Sequence, residues 1–251
     1  MILYEYPCNE RVRTFLRIES LFKRLFYFTQ GPDPYLHQVA IATLFDLLDV
    51  TERTDLRGMV LQDLERQRVA LNALREHPQV SLDVLESTLN EIARIVQGLS
   101  AQGRIAQDLR DNEWLCSIRG RLAVPGGASQ VDIPSFYSWQ MLSPEHRQAD
   151  IQAWTQSFMP LYQALDLILR ILRGAGDRVQ QVAEAGAYQE MLGGKTFQLL
   201  RVWVDEQYGV YPDMSANKYV ILVRFSRHGA DHKPVTVKQA IPFQLARCNI
   251  G

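Results

Sequence analysis

Arg13, Arg17 and Arg24 recur with Ser20 at steps of four, three and four, so a helix over this stretch gathers them on one cationic face. Arg53 and Arg57 are four apart, and Arg110, Arg119 and Arg121 follow later in the chain. A planar guanidinium pairs bidentately with carboxylates and lies flat against aromatic rings, which is the chemistry of gripping an acidic peptide. Tyr137 and Trp139, in a stretch expected to be an extended link, can add apolar contact. The bland alternative for each arginine is an acidic partner within the chain itself. Asp46, Asp49, Glu52 and Asp55 interleave with Arg53 and Arg57, and read as charge pairing along the end of their own helix.

Other chemistries fare worse. Pro125-Gly-Gly127 lacks a following Lys-Ser/Thr and does not stand between a strand and a helix, so it reads as a helix stop and tight turn, not a phosphate loop. His228 and His232 have the spacing of metal ligands on a helix, but they flank Gly229 in an expected hairpin loop with no further ligand pattern. No Gly-x-Ser-x-Gly, His-Glu-x-x-His or activated cysteine pattern is present, which disfavours an enzyme, and no metal or cofactor is expected. A nucleic-acid-binding module using the same basic face is the alternative from another class. Against it stand a net charge of −1 and the absence of a helix-turn-helix or RNA-binding signature.

Positioning these residues needs elements, and the periodicity supplies them. Residues 2–6 read as a short apolar strand stopped by Pro7, and Asn9 then caps a helix with Glu10 on the positive end of its dipole. Val12, Phe15, Leu16, Phe22, Leu25 and Phe26 form the core face of that helix. Gly31-Pro-Asp-Pro34 is a turn, and a second helix buries Leu36, Val39, Ala40, Thr43, Leu44 and Leu47, flanked by Ile41, Phe45 and Leu48. A third helix follows Thr54 as cap with Leu56, Val60, Leu64 and Leu71 inward. A fourth begins at Ser81 with Leu85, Leu89, Ile92 and Val96 inward, and a fifth spans 104–122. Residues 131–134 read as an extended link. Ser143-Pro144 opens another helix, which Pro160 breaks or restarts before a stop at Gly174 and Gly176.

Beyond Gly176 the period changes to two, with strands expected over 197–204, 219–225, 235–237 and 241–245 and a further one over 178–182. Such a module is short of strands, so residues 2–6 are expected to join it. The fold expected is α+β: a helical bundle inserted between the first strand and a C-terminal antiparallel β-sandwich-like domain. Its boundaries are 8–175 for the helical domain and 1–7 plus 176–251 for the β domain. The cysteines, Cys8, Cys116 and Cys248, are odd in number and far apart, consistent with reduced thiols. With 47% hydrophobic and 22% charged residues, no signal-like start and no run long enough to span a bilayer, the protein is expected in the cytoplasm without membrane insertion.

The stretch 5–19 fits the pattern E-x-P-x-N-E-x-x-R-T-x-L-R-I-E. It resembles the N-terminal signature of the ZapD family, bacterial cell-division proteins that associate with the FtsZ ring. Leu47-Leu-Asp-Val-Thr-Glu-Arg53, Arg119-Gly-Arg-Leu-Ala-Val-Pro-Gly-Gly127 and the residues leading into Phe225 are similar in the same order, so the resemblance runs from Leu3 to Cys248. It implies a non-enzymatic homodimer that binds the C-terminal tail of FtsZ and crosslinks filaments into bundles at the mid-cell division ring. The family's basic helical face falls here on Arg13, Arg17, Arg53, Arg57 and Arg110. Lys218 and Arg224 carry the basic character of the corresponding β strand. Val220 and Tyr137 stand where the family pattern has polar or basic residues.

Overall fold

The computed structural model describes residues 1–53, 55–78 and 80–250, without the side chain of Arg53. Strand β1 (Ile2–Pro7) leads into helix α1 (Glu10–Gln30). Asn9 caps α1, its Oδ1 accepting from the Val12 amide at 2.8 Å. Helix α2 (Pro34–Arg53) buries Ala40, Ile41, Leu44, Leu47 and Leu48. Val39, expected inward, is 39% exposed, and the polar His37 takes an inward place instead. Helix α3 (Leu56–Asn72) is capped by Asp55, which accepts from the Gly58 amide at 3.0 Å; Thr54, the expected cap, lies outside the described residues. Helix α4 (Leu82–Ala101) follows, burying Ile95 and Leu99 rather than Val96 on its last turns.

The single helix expected over 104–122 is two, α5 (Gln107–Asp111) and α6 (Glu113–Leu122). Asn112 leaves the helical conformation between them and caps the second, accepting from the Leu115 amide at 3.0 Å. The expected link around Tyr137 is helix α7 (Pro134–Gln140), because Pro134 occupies the first helical position, where its missing N–H costs nothing. Helix α8 (Pro144–Thr155) is capped by Ser143, and a short 3-10 turn leads into α9 (Met159–Gly174). Among the described residues no helix is long and apolar enough to cross a membrane.

The remaining strands are β2 (Val179–Ala183), β3 (Ala187–Met191), β4 (Leu199–Val204), β5 (Tyr211–Ala216), β6 (Val220–His228), β7 (Pro234–Thr236) and β8 (Ile241–Cys248). They form two antiparallel sheets, ordered β1-β4-β8-β2 and β3-β6-β5, with β7 also paired to β6. The first strand is recruited as expected, with Ile2 opposite Val204 and Pro7 opposite Leu199. Leu200, Val202, Phe243 and Leu245 of one sheet share a core with Ile221, Val223 and Phe225 of the other. The architecture is therefore mixed α+β, with the helical segments between the first strand and the antiparallel sheets.

Two compact units divide the chain, Met1–Leu16 with Ile168–Gly251, and Arg17–Leu167. In the first, Val12 and Leu172 pack with Leu199, Trp203, Ala246 and Cys248 as a second small core. Glu5 also ties this unit together, accepting from Arg173 at 2.9 and 2.7 Å and from Arg201 at 2.9 Å. In the second unit two aromatic groups fill the interior. One joins Phe22, Phe26, Phe158 and Tyr162, and the other joins Trp114, Phe136, Trp139 and Trp154.

Asp63 of α3 is 5% exposed, and burial pushes its carboxyl from 3.8 up to about 6. Between those two values the folded state binds more protons than the unfolded one, so stability falls as pH rises through that window. At neutral pH the ionised carboxylate costs about 2–3 kcal/mol. Asp63→Asn is expected to raise the thermal midpoint by several degrees at pH 7.5 and by almost nothing near pH 4. An equal gain at both pH values would refute the assignment.

Candidate partner-binding surface

One stripe of α2 organises the arginines. Asp46, Asp49 and Glu52, spaced three apart, each meet a guanidinium from another helix of the same unit. Arg24 of α1 donates from Nε to Thr43 Oγ1 at 2.8 Å and from Nη2 to Asp46. Arg119 of α6 pairs with Asp49 and reaches Glu52 at 3.4 Å. Arg110 of α5 donates to Glu52 at 3.1 Å, to Thr51 Oγ1 at 2.9 Å and to the Ile105 carbonyl, with its side chain only 9% exposed. Burial alone would raise the Glu52 carboxyl, but hydrogen bonds and charge from Arg119 and Arg110 outweigh it and hold it below the ordinary range. The pairing expected along a single helix end is thus replaced by pairing across helices. The reason is geometric: the acidic stripe faces α1, α5 and α6, which bring arginines from 22 to 70 positions away.

The other arginines differ. Arg57 of α3 donates to the carbonyls of Ser100 at 2.6 Å and Gly103 at 3.3 Å, placing a cation at the negative end of α4. Arg13 pairs with Glu10 at 3.0 Å and sits 5.9 Å from the Tyr6 ring, within the unit that holds the sheets. Arg17 and Arg121 are exposed, and among the described residues neither has a polar partner. The side chain of Arg53 lies outside the described residues. Lys218 and Arg224 are exposed in the sheet-bearing unit; Lys218 lies 4.8 Å from the Tyr219 ring and Arg224 has no partner among the described residues. The structure therefore brings Arg24, Arg110 and Arg119 together on the acidic stripe of α2.

Tyr137, 42% exposed on α7, lines an open groove of about 600 Å³ with Tyr35, Gln38, Val124, Gln140 and Met141. The turn after α6 also lines this groove; there Gly127 donates to the Val124 carbonyl at 2.9 Å and Gly126 has a positive φ. Trp139, expected beside Tyr137 as a contact residue, is instead buried. It stacks on Phe136 at 5.7 Å and donates its Nε1–H to Asp150 at 2.9 Å, because a helix turns successive side chains to different faces.

The groove walls are held by a pair that the sequence did not announce. Arg147, 3% exposed, donates to His37 Nδ1 at 2.9 Å and to the carbonyls of Pro32 at 2.6 Å, Gln140 at 2.8 Å and Leu142. A guanidinium only donates, so Nδ1 must accept and Nε2 carries the hydrogen that goes to the Thr29 carbonyl at 3.1 Å. Burial above all, with the Arg147 charge adding to it, keeps His37 below the ordinary imidazole value despite the Thr29 carbonyl. The signal in the sequence was faint: a lone histidine on an apolar helix face, and an arginine in the first turns of α8. Among the described residues no cluster of three or more metal-ligating side chains occurs; the rings of His228 and His232 stand 5.9 Å apart.

Residues 16–224 match the family described as ZapD, cell division protein. A Cell division protein ZapD from Bordetella petrii is 59% identical over 249 residues, covering 99% of this chain and 100% of that protein. Proteins of the same name from Ralstonia pickettii and Janthinobacterium sp. are 45% and 44% identical, each covering 99% of this chain and 100% of their own length. The matched lengths span the arginine-bearing helices, the turn after α6 and both sheets, and the chain belongs to the ZapD family of cell division proteins.

Proposed function

We propose that this protein binds the C-terminal tail of FtsZ through the basic face of its helical part and, as a homodimer, crosslinks FtsZ filaments at the mid-cell ring. It is a non-enzymatic factor of the cytoplasm in this reading. Dimerisation and tail binding belong to the helical domain, residues 8–175, and Lys218 and Arg224 are the candidate contacts of the β domain, 1–7 with 176–251. The observation that carries the reading is Arg17, exposed and without a polar partner on the same helix as Arg24. Arg121 offers a second unspent guanidinium, and Tyr137 an apolar contact beside the turn that follows it. The nucleic-acid alternative draws no support from the paired arginines, since the carboxylates of α2 repel phosphates.

Valence supplies the mechanism. Each filament displays many tails and a dimer presents two sites, so modest single contacts become firm bridges through effective concentration. Arg110, Arg24 and Arg119 take a smaller part in first contact than Arg17, because their charges already face carboxylates.

The protein is expected to co-sediment with FtsZ filaments and to remain in the supernatant when the FtsZ tail is deleted; equal pelleting with both would place the contact elsewhere. Tail-peptide affinity should fall as salt rises, since exposed charges are screened beyond a Debye length of about 8 Å at 0.15 M. Arg17→Glu should leave the melting transition nearly unchanged, because surface changes stay within about 0.5 kcal/mol. The same substitution should weaken tail binding by roughly 10-fold or more, since an attractive contact becomes a repulsive one. A variant that melts normally and still bundles filaments would remove Arg17 from the site.

A further inference from the structure

We propose that Asp46 and Asp49 act as built-in competitors for the partner's carboxylates, holding Arg24 and Arg119 in a ligand-like pose that an acidic peptide enters by exchange. This rests on the reading that the basic face takes an acidic peptide. The two pairs are exposed enough to exchange: side-chain exposure is 43% and 52% for Arg24 and Asp46, and 33% and 40% for Arg119 and Asp49. Each displaced aspartate returns to water easily, while its arginine trades one carboxylate for another. Arg24 is also held by Thr43 through Nε, so its guanidinium keeps its place when Asp46 departs. Arg110 does not join the exchange, because Glu52, Thr51 and the Ile105 carbonyl engage its nitrogens in a nearly enclosed site.

This arrangement sets a threshold. A ligand with one carboxylate gains little, since it replaces a partner of equal chemistry already in position. A peptide with several carboxylates in series displaces both aspartates, because after the first exchange the second is intramolecular. The stripe also shortens the reach of the positive field, so the face discriminates against anions that bind by long-range attraction alone. Selectivity for a multiply acidic segment then comes from the protein's own acids and not from an excess of arginine.

The test compares the full chain with Asp46→Asn/Asp49→Asn, which removes both charges and keeps the shape. An FtsZ tail peptide and a short oligoglutamate serve as probes, titrated at low and high salt. The expected result is a tail affinity about 3- to 10-fold higher at low salt, a steeper salt dependence, and a larger relative gain for oligoglutamate. Peptide binding that is unchanged or weakened in the variant overturns the inference and makes the aspartates surface pairs or orienting groups. Absence of peptide binding by both proteins defeats the proposed function and the inference together, whereas binding by the parent that the variant does not improve defeats the inference alone. Exposed pairs contribute little to stability, so the variant should melt close to the parent. If it does not, Asp46→Asn alone, at the more exposed pair, reads the same effect at about half its size on a logarithmic scale.

Discussion

A guanidinium taken out of water needs acceptors for its five donors, and the helical unit brings four of them to Arg147. Among the described residues none of its hydrogen bonds goes to a carboxylate; three backbone carbonyls and a neutral imidazole take them. Those carbonyls come from the entry to α2 and from the end of α7, so satisfying one side chain fixes two walls of the groove that carries Tyr137. Gln140 adds a side-chain bond to Gln38 at 3.1 Å across the same walls. His37 pays part of this arrangement in lost basicity, and its tautomer follows from Arg147 having only hydrogens to give.

The stripe on α2 answers the same physical problem with the opposite chemistry. Here cations at the surface and at the edge of the interior meet carboxylates one for one, leaving the local charge near zero. The pairs differ in depth. Arg110 is enclosed and multiply bonded, whereas Arg24 and Arg119 are accessible and face one acid each, Arg119 with a share of Glu52. Arg17 and Arg121 stand outside this balance, exposed and without a polar partner among the described residues.

Much of the fold was legible because local chemistry and tertiary structure agree. The cap at Asn9, the Ser143-Pro144 start and the change of period after Gly176 all read correctly, as did the recruitment of β1. The failures have specific causes. Pro134 reads as part of a link, although it obeys the same first-turn rule that places Pro144. Strands β3 and β5 lie at the edges of their sheet, where Gln189, Glu190, Pro212 and Asp213 are tolerated and no β-branched alternation is needed, so the sequence lacked a strand signal there. The cationic face was visible but its partners were not, because Asp49 and Arg119 are 70 positions apart and nothing in their spacing says they meet. Arg147 was invisible for a related reason: its partners are backbone carbonyls, which every residue has.

The register of β1 against β4 has a consequence for how the protein is made. Ile2 pairs with Val204, so this strand leaves the ribosome roughly 200 residues before its neighbour exists, on the order of 10–40 s at typical elongation rates. During that interval α1 to α8 can gather, since their contacts are closer in sequence, while β1 stays an unpaired apolar ribbon bearing Ile2, Leu3 and Tyr4. Closing so long a loop adds little to the final free energy, because its entropy grows only logarithmically, but it makes the β unit the late step of biogenesis. The nascent chain thus carries, while the residues between them are made, a sticky strand whose partner lies about 200 positions further on.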